Sequence, residues 1–173
     1  MKRCLVVLFE NFEEIEAVTA VDILRRAGVT VIVAAIGNKS LVIGAHGIGV
    51  AADGMLENFD EKDFDALLIP GGAGVFALRK DEKMHQLIMA FSRDQKLIAA
   101  ICAAPILLEE AKLLKGRKHT SHPCIHGELS EPPQEKSVVQ DGNLITANGP
   151  RAALDFAIAV AEHLNGSPVA IGV

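Results

Sequence analysis

Residues 97–105 read LIAAICAAP and place a thiol between a run of apolar residues and the start of a helix. Five consecutive apolar residues, Leu97–Ile101, are typical of a strand that is buried on both faces of a sheet. Pro105 suits the first turn of a helix, because the N–H groups of that turn have no partner within the helix. The stretch therefore predicts a strand, a sharp turn carrying Cys102, and a helix, which is the arrangement that lifts a nucleophile off the end of a sheet.

Apolar strands alternate with amphipathic helices along the rest of the chain. The pattern predicts an α/β domain, with a mainly parallel sheet and helices on both faces. The whole chain, 1–173, is predicted to form this one domain. Strands are predicted at 3–9, 29–36, 65–69, 97–101 and 118–121, and helices at 13–27, 82–93, 105–114 and 150–164. Residues 41–53 are predicted to form a short β excursion or hairpin, and residues 137–146 a β hairpin. The loops that follow parallel strands gather at one edge of the sheet, where active sites lie in such folds.

Composition excludes several classes of function. The chain has a formal net charge of -5 and contains no Trp and no Tyr, which argues against binding to a nucleic-acid backbone and against stacking on bases. No apolar run approaches the roughly 20 residues that a membrane span needs. The apolar stretch at 4–9, after Met1, Lys2 and Arg3, is too short for the core of a signal peptide. We therefore expect a cytoplasmic protein that does not contact membranes.

The three cysteines, Cys4, Cys102 and Cys124, do not indicate a disulfide framework, because their number is odd. Cys4 fits a buried strand as a small hydrophobic residue. A thiol at the start of a helix has a lowered pKa and is a better nucleophile, but an apolar stretch also accommodates an inert cysteine. Sequence chemistry alone leaves both interpretations of Cys102 open.

Two loops beside the predicted strands argue against bound nucleotides. The loop at 10–14 is acidic and has no glycine, so it does not fit a dinucleotide pyrophosphate. The loop at 71–74 lacks the Lys-Ser/Thr ending of a phosphate-binding loop. We expect it to offer backbone N–H groups instead, with Gly71 and Gly72 lining the site and the amides of Gly72 and Ala103 forming an oxyanion hole beside Cys102. No cofactor is expected.

Glu16 and His122 are the candidate partners of the thiol. Glu16 lies inside the apolar stripe of the first predicted helix, where it is either a solvent-exposed edge residue or a buried carboxyl group that donates a hydrogen bond to sulfur. The helix alone favours the exposed edge. His122 follows a predicted strand on the same rim as Cys102 and is either a general base or a structural histidine.

A second cluster in the same region suggests a metal site, but its spacing matches no strong zinc pattern. We therefore predict no metal there. The cluster consists of His119, His122, Cys124, His126 and Glu128.

These segments together resemble the ThiJ/PfpI superfamily, in particular the branch that contains the parkinsonism-associated protein deglycase and its bacterial relatives. The resemblance covers nearly the whole chain. It depends on residues 12–16 (FEEIE), 24–28 (LRRAG), 69–72 (IPGG), 99–105 (AAICAAP), 120–123 (TSHP), 141–142 (DG) and 148–150 (NGP).

The resemblance implies a flavodoxin-like three-layer sandwich that usually forms a homodimer. It implies that Cys102 is the nucleophile, that Glu16 hydrogen-bonds it, and that His122 lies near the site. It implies cofactor-independent chemistry on reactive dicarbonyls, either glyoxalase conversion of methylglyoxal into lactate or removal of early glycation adducts, in a stress-protective role. It also implies that Cys102 oxidises readily to a sulfinate.

Two positions depart from the family pattern. The protease branch carries a histidine directly after the nucleophile, where this chain has Ala103, so peptidase or amidase activity is the weakest of the functional alternatives. The branch of the deglycase carries an arginine where this chain has His46. The main alternative to a dicarbonyl enzyme is a redox sensor or chaperone that uses the oxidation of Cys102.

Overall fold

The computed structural model of the chain describes residues 1–170, which contain nine strands and five α-helices. The strands are β1 (Arg3–Leu8), β2 (Thr30–Ala35), β3 (Leu41–Ile43), β4 (Gly49–Ala51), β5 (Gly54–Met55), β6 (Ala66–Ile69), β7 (Leu97–Ile101), β8 (Val138–Asp141) and β9 (Leu144–Ala147). The helices are α1 (Glu14–Arg26), α2 (Val75–Leu78), α3 (Glu82–Arg93), α4 (Pro105–Glu110) and α5 (Ala153–Asn165). Short 3-10 helices occupy Leu56–Asn58, Glu61–Asp63, Pro123–Glu128 and Pro150–Ala152.

A seven-stranded sheet with the order β5-β2-β1-β6-β7-β9-β8 forms the centre of the molecule. Its strands are parallel except for β8, which pairs with β9 as an antiparallel hairpin. The central strands β1, β6 and β7 are buried almost throughout, as expected for parallel strands covered on both faces. The order of the five inner strands is that of the flavodoxin-like fold, which confirms the predicted fold class.

The helices form the two outer layers. Helix α1 packs against α5, whereas α3 packs against β6 and β7. Because crossovers between parallel strands are right-handed, the crossover through α1 and the crossover through α3 lie on opposite faces of the sheet. Helix α1 is capped by the Glu13 carboxylate, which accepts from the Glu16 amide, and it ends in two arginines that complement the helix dipole.

The predicted strand at 118–121 is wrong. These residues join no sheet, because the Thr120 amide donates to the side-chain hydroxyl of Thr146 at 2.9 Å instead of to a strand backbone. The helix predicted at 105–114 is shorter and ends at Glu110, since Lys112 turns the chain with a φ of 62°.

Both hairpins are present. The hairpin predicted at 41–53 consists of β3 and β4, which pair with each other outside the main sheet. In the described part of the chain, no helix is long and apolar enough to cross a bilayer.

Candidate active site

Cys102 stands at the turn between β7 and α4, with a φ of 64°. Non-glycine residues seldom adopt this left-handed conformation, and where they do the strain often marks a functional site. The Cys102 amide still donates to the carbonyl of Ala147 at 2.9 Å, as if the strand continued. The side chain is half-buried. The sharp turn predicted from the sequence is therefore present, and it sets the thiol at the carboxyl edge of the sheet.

Gly71, which lies just beyond the end of β6, leaves the space in which two other side chains meet. A Cβ atom on Gly71 would stand 2.6 Å from the Cβ of Cys102 and 2.7 Å from the Oε2 of Glu16. The absence of a side chain at this position is what lets the thiol and the carboxyl group approach each other. The Gly71 amide donates to Glu16 Oε2 at 2.7 Å, so this N–H group is already occupied and is not free to bind a substrate oxygen.

Glu16 is 0% exposed, so the solvent-exposed edge favoured by the helix pattern alone is wrong. The carboxyl group points into the sheet edge because the Gly71 loop crosses that side of α1, a contact that helical periodicity does not reveal. The second carboxyl oxygen, Oε1, is buried and makes no hydrogen bond of regular geometry within residues 1–170. A buried acceptor without a partner is costly, and protonation of the carboxyl group converts it into a donor.

The environment of Glu16 favours that protonated form. Burial raises the pKa of Glu16 from 4.5 to about 7, against the opposing hydrogen bond from Gly71. The nearby charge of Glu13 raises this pKa further. Near neutral pH the carboxyl group therefore holds its proton for a large part of the time.

The thiol does not have the simple lowered pKa that its place at a helix start predicts. Burial, the charge of Glu16 and a hydrogen bond to Glu16 raise the pKa of Cys102, while a hydrogen bond from the Ala103 amide opposes them. Two of these three raising effects require an ionised Glu16. The two groups form a coupled pair. Once the pair has lost one of its two protons, the remaining one lies either on sulfur, beside a carboxylate, or on Glu16, beside a thiolate.

His122 is tied to Cys102 through the backbone. Its amide donates to the carbonyl of Cys102 at 2.9 Å. Its ring Nδ1 accepts from the amide of Cys124 at 3.2 Å, so the neutral ring carries its proton on Nε2. The structure thus brings His122 to the same rim as the thiol, and the ring is half-buried there.

The two amides predicted for an oxyanion hole differ in their surroundings. The Ala103 amide lowers the pKa of the Cys102 thiol and therefore favours negative charge at this position. Gly72 has a φ of +108°, and a Cβ atom there would stand 2.4 Å from the carbonyl oxygen of Asn11. Gly72 is therefore required for the close packing of the two loops.

Sequence reasoning missed a second carboxylate cluster, which joins α1 to the β3–β4 hairpin. Glu14 accepts from the His46 amide at 2.7 Å, from the His46 ring Nδ1 at 2.9 Å and more weakly from the Ile48 amide at 3.4 Å. Although burial opposes ionisation, these hydrogen bonds lower the pKa of Glu14 to about 2. The hydrogen bond to Glu14 also raises the pKa of the exposed His46. His46 thus fastens the hairpin to α1.

Ligand atoms of Glu13, Glu14 and His46 lie within 4.8 Å of one another. Both carboxylates are already engaged, because Glu13 caps α1 and Glu14 holds the hairpin. Among residues 1–170, the five side chains around His122 that suggest a metal site in the sequence do not bring three ligand atoms together.

Comparison with known proteins places this arrangement in a family. The family model described as DJ-1/PfpI matches residues 2–163, which is nearly the whole chain. The chain belongs to the DJ-1/PfpI family.

Members of the DJ-1/PfpI family resemble the chain in sequence and in structure. It is 37% identical over 167 residues to DJ-1 homolog B of Arabidopsis thaliana, covering 95% of this chain and 38% of the plant protein. It is 30% identical over 151 residues to a deglycase of Pyrococcus abyssi, covering 86% of this chain and 90% of that protein. The solved structure of oxidized Toxoplasma gondii DJ-1 matches with a TM-score of 0.89 and 32% identity, covering 95% of this chain and 91% of that one. The chain spans less than half the length of the plant relative.

Proposed function

We propose that the protein is a cofactor-independent cysteine enzyme that acts on reactive dicarbonyls, of the glyoxalase or deglycase type, with a stress-protective role. The observation that carries the proposal is the meeting of Cys102 and Glu16 across Gly71, which joins a nucleophile to a buried proton carrier. The similarity to a deglycase of Pyrococcus abyssi supports this substrate class.

The proposed reaction begins with attack of the Cys102 thiolate on the aldehyde carbon of methylglyoxal. A carbon–sulfur bond forms, and the aldehyde oxygen becomes an alkoxide that the amides of Gly72 and Ala103 stabilise. A proton then moves from the aldehyde carbon to the neighbouring carbonyl carbon, carried by Glu16 or His122. The product of this step is a thioester of lactate, which water hydrolyses to lactate and the free thiol.

Glu16 suits the proton-transfer step because its pKa, raised by burial to about 7, lies near the working pH. A general acid–base group is most effective when its pKa is close to the pH at which it works. An exposed glutamate, ionised at neutrality, would be a much weaker proton donor. The His122 ring accepts from the Cys124 amide at Nδ1, so its Nε2–H can donate to a substrate oxygen but no ring nitrogen is free to take up the proton, which makes Glu16 the stronger candidate.

The test is lactate formation from methylglyoxal by single-cysteine variants. Cys102→Ser is expected to lose nearly all activity, while Cys4→Ser and Cys124→Ser retain it. Cys4 is a suitable matched control because it is fully buried in β1 and away from the sheet edge. Equal lactate formation by Cys102→Ser and the wild type would refute the proposal. A peptidase assay on the same preparation is expected to show no cleavage.

A redox-sensing or chaperone role is the second candidate, and the similarity to an oxidized Toxoplasma gondii DJ-1 favours it. In this case oxidation of Cys102 would change the binding of a partner, and turnover would be incidental. Mass spectrometry after mild peroxide treatment distinguishes the two. A sulfinate on Cys102 without measurable dicarbonyl turnover would support sensing, and steady turnover would support the enzyme.

We further propose that the chain forms a homodimer through the exposed face of α1 and the adjoining hairpin. Ile15 and Val18 lie one turn apart on α1 and are 56% and 47% exposed, and Ile48 is 56% exposed. Ile48 adjoins them because its amide reaches the Glu14 carboxylate. Neighbouring apolar side chains left open to water favour burial against another surface. A cytoplasmic location is proposed as well, since three free cysteines suit a reducing compartment.

A further inference from the structure

Cys124 is a second thiol on the same rim that the proposed reaction does not use. It lies exposed in the 3-10 helix Pro123–Glu128, which begins directly after His122. The His122 amide donates to the carbonyl of Cys102 at 2.9 Å, and the Cys124 amide donates to the His122 ring at 3.2 Å. Two consecutive hydrogen bonds therefore connect the backbone that carries one thiol to the backbone that carries the other.

The electrostatics agree with this placement. The charge of Cys124 raises the pKa of Cys102, in addition to burial and Glu16. The two sulfurs are therefore close enough to interact electrostatically. The remaining cysteine, Cys4, differs in every respect. It is 0% exposed within β1, and burial raises its pKa to about 12.

We propose that Cys124 is a resolving thiol that captures oxidised Cys102 as an intramolecular disulfide. The chain thereby gains a reversible redox state. The inference rests on the reactivity of Cys102, which the proposed enzyme function also requires. It does not depend on the identity of the substrate.

The reaction needs hydrogen peroxide as the oxidant and proceeds in two displacements. The Cys102 thiolate attacks one peroxide oxygen, so that an S–O bond forms, the O–O bond breaks and hydroxide leaves. Sulfur is oxidised by two electrons to a sulfenic acid, and the peroxide is reduced. The Cys124 thiolate then attacks the sulfenic sulfur, so that an S–S bond forms and the S–O bond breaks. The departing hydroxide takes up the proton lost by Cys124 and leaves as water.

A disulfide needs Cα atoms within about 7 Å of each other. The two hydrogen bonds through His122 keep the segment of Cys124 beside the turn of Cys102, and the proposal requires that segment to adjust. That segment is one 3-10 helix. Ile125 is its buried residue, and the ion pair of Glu128 with Arg79 at 2.8 Å holds its far end, while Cys124 itself is exposed. Cys102, by contrast, is fixed between β7 and α4. Closure of the disulfide would block dicarbonyl turnover and would protect Cys102 from irreversible oxidation to the sulfinate.

The experiment treats wild type, Cys124→Ser and Cys4→Ser with one equivalent of hydrogen peroxide and maps the unreduced peptides by mass spectrometry. Wild type and Cys4→Ser are expected to yield a Cys102–Cys124 crosslink that a thiol reductant reverses. Cys124→Ser is expected to lose the crosslink and to accumulate sulfinate at Cys102. Methylglyoxal turnover, measured before oxidation, is expected to be the same in wild type and Cys124→Ser.

Equal sulfinate in wild type and Cys124→Ser, without a crosslink, would overturn the resolving role and leave the nucleophile intact. No oxidation of Cys102 in any variant would also overturn it. Turnover in untreated protein reports separately on the proposed function, so failure of the two proposals can be told apart.

Discussion

Gly71 donates its backbone N–H to the Oε2 atom of Glu16 at 2.7 Å, across the gap that its missing side chain leaves beside Cys102. The Gly71 carbonyl in turn accepts from the Glu13 amide at 2.9 Å. The loop after β6 is thus fastened on both sides to the start of α1. This reciprocal pair of hydrogen bonds fixes the distance between the acid on one element and the thiol on another.

Gly71→Ala is expected to slow the reaction of Cys102 with alkylating agents. The added methyl group would overlap the Cβ of Cys102 and the Oε2 of Glu16. The Cys102 Cβ is attached directly to the backbone and cannot move away. We expect at least a tenfold loss in the alkylation rate of Cys102 (~1.4 kcal/mol in the barrier), measured with iodoacetamide. Gly127→Ala is the matched control, because a Cβ atom there meets nothing within 4 Å. Unchanged alkylation in Gly71→Ala would show that the contact does not matter.

Glu16→Gln is expected to change the pH dependence of stability. The folded pKa of Glu16, about 7, lies above its ordinary value of 4.5, so the unfolded chain releases this proton first. The stabilisation from Glu16 is therefore complete below pH 4.5 and is lost as the pH rises towards 7. Relative to wild type, Glu16→Gln should gain up to about 3 kcal/mol over this range. Urea denaturation of both proteins at pH 4.5 and pH 7.5 measures the difference, and parallel curves would contradict the assigned shift.

Glu14→Gln is expected to loosen the β3–β4 hairpin. The folded pKa of Glu14, about 2, lies below its ordinary value of 4.5, so its contribution to stability is present above pH 4.5 and is lost as the pH falls towards 2. At neutral pH, hydrogen exchange of the His46 and Ile48 amides should be faster in Glu14→Gln than in wild type. Glu10→Gln, at an exposed position, is the control and should leave both amides protected. Equal exchange in all three proteins would exclude the clamp.

Val18→Glu is expected to produce a monomer. The substitution places a charge in the centre of the apolar face that we propose as the dimer interface, where its desolvation is unfavourable. Met89→Glu is the matched control, because Met89 is also a partly exposed apolar residue of a helix, α3, but on the opposite face of the sheet. Light scattering after size-exclusion chromatography gives the masses. A dimer that survives in Val18→Glu, or a wild-type monomer, would refute this interface.

Most of the fold was predictable from the sequence, because the spacing of apolar residues and the positions of prolines and glycines are local signals. The run at 97–101, the proline at 105 and the positions of three long helices are readable without tertiary information. The prediction of a strand at 118–121 failed because the Thr120 amide donates to the side chain of Thr146 and not to a neighbouring strand. Residues alone do not reveal that choice of partner.

The site was predictable in outline but not in its electrostatics. The thiol could be placed at a turn from residues 97–105, whereas helical periodicity alone put Glu16 in solvent. What buries Glu16 is the crossing of the Gly71 loop, a contact between positions 55 residues apart in the chain. The clamp between Glu14 and His46 was missed for the same reason, since it joins two segments whose proximity depends on the folded hairpin.

The most direct test of the account is the pH dependence of Cys102 alkylation in Cys124→Ser, with and without Glu16→Gln. If Glu16 holds the shared proton, its hydrogen bond to sulfur and the one from the Ala103 amide stabilise the thiolate and lower the pKa of Cys102, against the effect of burial. Glu16→Gln then raises that pKa, because an amide is a weaker hydrogen-bond donor than a carboxylic acid. If Glu16 is instead an ionised carboxylate beside a neutral thiol, the pKa of Cys102 is high, and Glu16→Gln lowers it by removing a repelling charge. A downward shift would contradict the central claim.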